Sequence, residues 1–329
     1  MESVSDEKKV SDAYLRWAQV EADDRSPRYA EWARGVGNDA VLCAAIAELE
    51  PVKRQPNLLF AAARFEGVPL QPWADVRDMF AGSWNTIRST MLARMTQTNE
   101  ARRMATLLPA IAHLRGPIAL VEVGASAGLC LYPDRWRYRF GAGKYVGDAG
   151  LPLLETEASP STPLPDRLPS IAWRGGLDLQ PLDPDEPDTR AWLEALVWPD
   201  ATGGVDGVRV DRVRTAIAIA RRERAHLRRG DLSTDTRALV EEAAQQAPTV
   251  VVWHSAVLAY VPAFERAAFA DLMGQLPVTW VANEGATLEI GPPAPWAQPG
   301  DFVLRRDAQP LAITDPHGGS ITWIDDIPR

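Results

Sequence analysis

From Pro117 onward the chain alternates short apolar runs with segments of helical spacing, and that alternation limits the fold more than any other feature. The runs "PIALVEV" (117–123), "SIAWRGGLD" (170–178), "HLRRGDL" (226–232), "TVVVWHSAVLAY" (249–260) and "VTWVANEG" (278–285) read as strands. The first and fourth are apolar enough to be buried on both faces of a parallel sheet. Between the later runs stand "DTRAWLEALVW", "VDRVRTAIAIARRERA", "DTRALVEEAAQQA" and "PAFERAAFADLMGQL", each with helical periodicity. Strands separated by helices predict an α/β fold with a doubly wound, mostly parallel sheet.

The chain before Pro117 has a different character. "VSDAYLRWAQVEA" sets Val10, Ala13, Tyr14, Trp17 and Val20 at helical spacing, and helical patterns continue to about residue 114 without strand alternation. We therefore expect a helical N-terminal cap subdomain over 1–115 and a sheet domain over 116–329. Within the latter, "DRWRYRFGAGKYVG" alternates Trp136, Tyr138 and Phe140 with Arg135, Arg137 and Arg139, a strand with an aromatic and an arginine face. A solvated strand face is the default for the arginines, with grip on a carboxylate or phosphate as the alternative. A proline-rich loop is expected over 152–169. "TLEIG", "DFVLRRD" and "SITWID" suggest strand-like pieces closing the sheet with an antiparallel hairpin.

The net charge of −9 disfavours a general nucleic-acid binder, which needs a basic surface to displace counterions. Two separated cysteines, Cys43 and Cys130, read as small buried hydrophobes, and four scattered histidines offer no metal cluster. The polar start "MESVSDEKKV" and the lack of a long apolar run predict a cytoplasmic protein with no membrane partner. A monomer or homodimer acting on a small molecule fits this balance.

Chemistry enters at "VEVGASAGL". Small residues directly after a buried strand let the backbone turn tightly, or let something approach it closely. The dinucleotide fingerprint Gly-x-Gly-x-x-Gly fits poorly, because counted from Gly124 its later glycines fall on Ser126 and Leu129. The turn of S-adenosylmethionine-binding proteins fits at every spacing: Glu122 as the strand-end acid for the cofactor's ammonium group, then Gly124, Ser126 and Gly128, leading into a first helix. A tight turn with no ligand is the plain alternative. Asp178 ends the second strand, where a carboxylate bonds ribose hydroxyls. Asp231 follows the third, with Leu232 to pack adenine. Either aspartate could instead serve as a helix cap or turn residue.

With these features in order, residues from about 117 to 329 resemble a class I methyltransferase domain. The phrases "QTNE", "VEVGASAGL", "GLDLQPLD", "WLEALVWPD", "HSAVLAYV" and "NEG" resemble the domain-of-unknown-function 2332 family over most of the chain. The resemblance implies the fold and S-adenosylmethionine as cofactor, and leaves the methyl acceptor open. Aminopropyl transfer or cyclisation, and a non-catalytic ligand-binding or partner protein, remain as alternatives on the same scaffold.

For catalysis, His254 is the candidate base because its strand ends beside the cofactor; a core histidine is the alternative. Tyr260 and Glu284 join it as candidate catalytic residues. Gln97, Asn99, Glu100 and Arg103, a polar knot on a helical run, and Asn283 are candidate substrate-binding residues. The twelve tryptophans read mostly as core or domain-interface residues, with Trp73, Trp84 and Trp253 as candidates to wall an aromatic acceptor pocket.

Overall fold

The computed structural model describes residues 5–97 and 99–327. Contacts divide the chain into two compact units, Met1–Gln97 with Asp185–Arg214, and Thr98–Pro184 with Thr215–Arg329. The sequence suggested one boundary near residue 115. In the structure residues 99–115 go with the sheet, and the excursion 185–214 between two strands goes with the N-terminal helices.

The first unit contains α1 (Asp6–Trp17), α2 (Pro27–Gly37), α3 (Ala40–Ala47), α4 (Pro56–Phe65), α5 (Trp73–Gly82) and α6 (Trp84–Ala93). Its core is aromatic. The Phe60 ring lies 5.0 Å from Tyr29, 5.6 Å from Trp32, 5.9 Å from Trp17 and 6.4 Å from Phe80, centroid to centroid. Trp198 joins this cluster 5.2 Å from Trp17, and Arg64 donates to the Ala195 carbonyl at 3.0 Å. These contacts recruit the 185–214 excursion and its helix α8 (Pro187–Ala195). Aromatic edge-to-face contact adds about 0.5–1.5 kcal/mol per pair beyond burial. Trp73 belongs to the same packing. It lies over Gly35, where a Cβ would meet its ring at 2.3 Å, and 5.3 Å from Phe80.

In the second unit α7 (Met104–Ile111) leads into β1 (Pro117–Val123). Then come β2 (Arg137–Phe140), β3 (Lys144–Val146), β4 (Leu153–Ala158) and β5 (Ser170–Asp178). After the excursion, α9 (Gly207–Glu223) returns the chain to β6 (His226–Arg229), followed by α10 (Thr236–Ala244), β7 (Thr249–Ser255), α11 (Ala263–Gln275) and β8 (Thr279–Gly285). A meander of β9 (Phe302–Arg306), β10 (Gln309–Thr314) and β11 (Ser320–Trp323) completes the sheet. The spatial order is β3-β2-β4-β11-β10-β9-β8-β7-β1-β5-β6. The five strands β6, β5, β1, β7 and β8 run parallel, and β9 and β10 are antiparallel to their neighbours. The fold is mixed α/β with a large, mostly parallel sheet.

Alternation along β1 sends its side chains to two faces. Ala119, Val121 and Val123 pack with Val250, Val252, Leu239, Phe269 and Met273 in an apolar core beneath α10 and α11. Leu120 and Glu122 point to the other face, where Glu122 has Gly176 and Trp253 as its strand neighbours.

Several expectations are corrected. No helix follows the glycine turn: the chain passes through a 3-10 turn, Pro133–Arg135, into β2. Leu129, Cys130 and Leu131 are all buried, so a one-sided helix has no wet face there. Pro133 lacks the N–H a helix would use, and Arg174 pins the segment by donating to both Asp134 oxygens and to the Leu131 carbonyl. The proline-rich stretch contains β4, whereas "TLEIG" is turn and bend and β10 takes the place expected for it. In β2 the aromatic face is buried as anticipated. Arg135 pairs with Asp134 and Glu223, Arg139 pairs with Glu155, and Arg137 stacks 4.1 Å from the Tyr145 ring centroid. Among the described residues no helix is long and apolar enough to cross a membrane.

Candidate functional site

In an open parallel sheet ligands bind beyond the carboxyl ends of the strands, where the strand order reverses. Here that point lies between β1 and β7: β5 and β6 extend the parallel strands on one side of β1, and β7 and β8 extend them on the other. The glycine loop leaves β1 there, and the turn Leu258–Tyr260 follows β7.

Gly124, Ser126 and Gly128 all have positive φ, at 71°, 49° and 68°. That conformation suits glycine at the first and third positions. A second demand acts on Gly124: a Cβ there would lie 2.3 Å from Cγ2 of Val257. At Gly128 the corresponding neighbour is Leu227, at 2.9 Å. What approaches the loop so closely is therefore the chain itself.

The loop's amides are engaged. Gly124 and Ala125 donate to the Leu177 carbonyl at 2.8 and 3.0 Å, and Gly128 donates to Ala125 at 2.6 Å. Ser126 donates to Asp178 Oδ2 at 2.8 Å, and Ala127 to Asn99 Oδ1 at 3.3 Å. Such a loop offers no row of amides to a pyrophosphate, in contrast to the dinucleotide cradle.

Asp178 closes the loop onto β5, since its other oxygen accepts from the Gln180 amide at 2.7 Å. Asp231 lies two residues beyond β6 and accepts from the Ser233 amide at 2.7 Å, an Asx turn. Leu232 packs partly against the apolar core.

Of the polar knot, Gln97, Asn99 and Glu100 lie in the connection after α6, and Arg103 ends the 3-10 turn Ala101–Arg103. Asn99 brackets the glycine loop, its Nδ2 donating to Ser126 Oγ at 2.9 Å. Glu100 accepts from the Arg102 amide at 3.0 Å, and its carbonyl takes the Cys130 thiol at 3.4 Å. Arg103, buried, donates to the carbonyls of Pro316 at 2.8 Å and Ser255 at 3.3 Å, tying the knot to the end of β7. Gln97 is half-buried at the end of the first unit, and Thr98, part of the "QTNE" phrase, lies outside the described residues.

Glu122 differs from these groups. The residue is 7% exposed, and its Oε2 is buried with no hydrogen-bond partner among the described residues. Burial pushes its carboxyl well above the usual value of 4.5; nearby Arg103 opposes this and Asp178 adds to it. On the neighbouring strand position Trp253 is fully buried and its indole N–H is likewise unpartnered.

His254 occupies the opposite face, fully buried between Phe269 and Trp280. The Trp280 indole donates to its Nε2 at 2.9 Å. An indole can only donate, so Nε2 is the acceptor and Nδ1 carries the proton, given to Glu284 Oε1 at 2.7 Å. Glu284 also accepts the amides of Val257 and Leu258 at 3.0–3.3 Å and so shapes the turn over Gly124. Both histidine nitrogens are therefore engaged within the protein. Tyr260 is 63% exposed on that turn. Asn283 is buried, accepting from Thr314 Oγ1 at 2.6 Å and donating to Ser255 Oγ at 3.5 Å.

The β1 end thus brings together Glu122, Gly124, Ser126, Gly128, Asn99, Glu100, Arg103 and Asp178. It leaves Asp231 in its own turn and puts His254 and Glu284 across the sheet. Val257, Arg174 and Thr314 escaped the sequence reading, because nothing local distinguishes a residue whose importance lies in a distant contact. Among the described residues no group of three metal-ligating side chains gathers.

Residues 11–323 match the profile of a family described as "Uncharacterized protein conserved in bacteria (DUF2332)". The chain belongs to the DUF2332 family. No curated protein matches it. For this DUF2332 protein the β1 end is the candidate site, since it combines the strand-order reversal, the tightly held loop and the unpartnered buried carboxyl.

Proposed function

We propose that this DUF2332 protein is an S-adenosylmethionine-dependent methyltransferase acting on a small molecule. The observation that carries the proposal is the buried Glu122 Oε2 without a partner, at the end of the central strand. An unpaired buried carboxyl costs stability, and a ligand bearing an ammonium group removes that cost by supplying the missing donor and charge. Two further features support it. Numbered in chain order, the five parallel strands β6, β5, β1, β7 and β8 read 3-2-1-4-5, the start of the doubly wound nucleotide-binding order. The loop's amides are tied to protein acceptors, which suits a cofactor without phosphates. The fold departs from a class I methyltransferase in lacking a helix after the glycine turn and in closing with a sequential meander.

S-adenosylmethionine would supply an electrophilic methyl group. Glu122 would hold its ammonium group, while Asn99 and Asp178 keep the loop in one shape. With His254 engaged on both nitrogens, the chemistry left to the chain is orientation. Holding an already nucleophilic acceptor in line is worth up to ~7–11 kcal/mol. The same engagement of His254 and Glu284 favours, as a second reading, a ligand-binding protein without catalysis.

Isothermal titration with S-adenosylmethionine, S-adenosylhomocysteine and NAD tests the proposal. Binding of the first two and not the third is expected. Silence with all three refutes the cofactor assignment. Binding with no turnover across an acceptor panel favours the second reading.

A further inference from the structure

At the opposite end of the same strands, where β1 and β5 begin, lies a cleft of about 780 Å³. The seven residues of β1 separate it from the glycine loop, roughly 20 Å along the strand. Its volume is within the ordinary range for a small-molecule site, about 300–1,000 Å³. Ile111 and Ile118 form one apolar wall, and Leu164, Leu168 and Pro169 of the proline-rich segment form the other.

Charge at the rim is one-sided. Arg167 is exposed and makes no ion pair or hydrogen bond among the described residues. Arg115 bonds only to the Ala112 and Leu114 carbonyls, which leaves its charge without a carboxylate. Arg306, beside the cleft, donates to the Ala110 carbonyl and to His113 Nδ1 at 3.1 Å. The one acid in the lining, Asp166, is taken by Lys144 at 3.1 Å. Burial is the main cause that pushes His113 below its usual range; Arg306 adds to it, Asp307 opposes it, and Arg115 adds least. Arg115 and Arg167, without carboxylate partners beside apolar walls, are a local exception in a chain of net charge −9.

We infer that this cleft is a second binding site, taking an organic anion whose apolar body lies between the two walls and whose acidic head meets Arg115 and Arg167. Guanidinium groups suit a carboxylate or phosphate head. A medium-chain alkyl carboxylate is the simplest molecule with both parts. The site stands independently of the cofactor reading, because none of its residues lies at the glycine loop.

Calorimetric titration of the full chain with decanoate, below its micelle concentration, is the test. Decyltrimethylammonium serves as the control with the same tail and the opposite charge. Saturable binding of decanoate is expected, with none of the cationic analogue at the same concentrations. Arg167→Glu, at an exposed position without partners, should weaken decanoate about five- to tenfold and leave thermal stability unchanged. Leu164→Asp should abolish binding by placing a carboxylate in the apolar wall. The inference is overturned if decanoate gives no saturable heat, if the cationic analogue binds as tightly, or if Arg167→Glu binds decanoate like the parent.

Discussion

Glu122→Gln separates what the carboxyl costs the free protein from what it gives a bound ligand. Folding takes Glu122 from water into a setting where Oε2 has no partner and the residue is 7% exposed. Burial is the largest influence on its titration and raises it well above 4.5, with Arg103 too weak an opponent to reverse the direction. The folded state therefore keeps this proton to a higher pH than the unfolded chain does. Stability from the group is fully present below about pH 4.5 and is lost as pH rises, until the folded carboxyl itself ionises. Within that window the loss is about 1.4 kcal/mol per pH unit. For a unit of this size that corresponds to roughly 3–5 °C in Tm per pH unit. Glutamine has nearly the same shape and no proton to lose, so its profile should lack this slope. Denaturant unfolding of both proteins between about pH 5 and pH 8 should show Glu122→Gln gaining on the parent as pH rises. With S-adenosylmethionine present the order should invert, because the variant cannot offer a charge to the ammonium group. Parallel pH profiles would refute the unpaired-carboxyl assignment. Equal stabilisation of both proteins by the ligand would refute the proposed contact while leaving the pH argument standing.

Gly124→Ala should destabilise the protein by about 2–4 kcal/mol, combining a positive-φ penalty with overpacking against Val257. Adding Val257→Ala should restore part of that loss, and additive effects in the double-mutant cycle would remove the steric explanation. His254→Ala should cost about 3–5 kcal/mol by leaving Glu284 and the Trp280 indole short of partners. A variant that keeps its stability but loses activity would instead return His254 to the role of base.

The architecture was legible where packing demands one residue type over several positions. "PIALVEV" and "TVVVWHS" had to be interior strands, and the helical spacing after the second had to cover the sheet. The strand β4 was hidden because "LLETEA" sits between prolines and pairs with β2 and β11 at non-local positions. The missing helix after the glycine turn was hidden for a related reason: "LCLY" suits a helix locally, and only the distant Arg174 fixes Asp134 beneath it. At the site, "VEVGASAG" marked the loop, and the end of the second strand marked Asp178. Spacing could not say that Asp178 would grip the loop's own amide, or that the His254 ring would be occupied by Trp280.

The small residues of this loop illustrate why a motif underdetermines a function. A glycine chosen so that a ligand can approach and a glycine chosen so that Val257 can approach look the same in a sequence. Here the second demand is met in full: Val257 sits over Gly124, Leu227 over Gly128, and Leu227 with Ala125 over Gly176. Packing therefore accounts for the glycines without any ligand, and they no longer count as support for one. Packing does not account for Glu122. Valine or leucine would fill the same interior position between Gly176 and Trp253 without the cost of an unpartnered carboxyl. A residue that the fold would be more stable without is the one that most needs a ligand to explain it, and Glu122 rather than the glycine pattern is where the functional hypothesis should be tested.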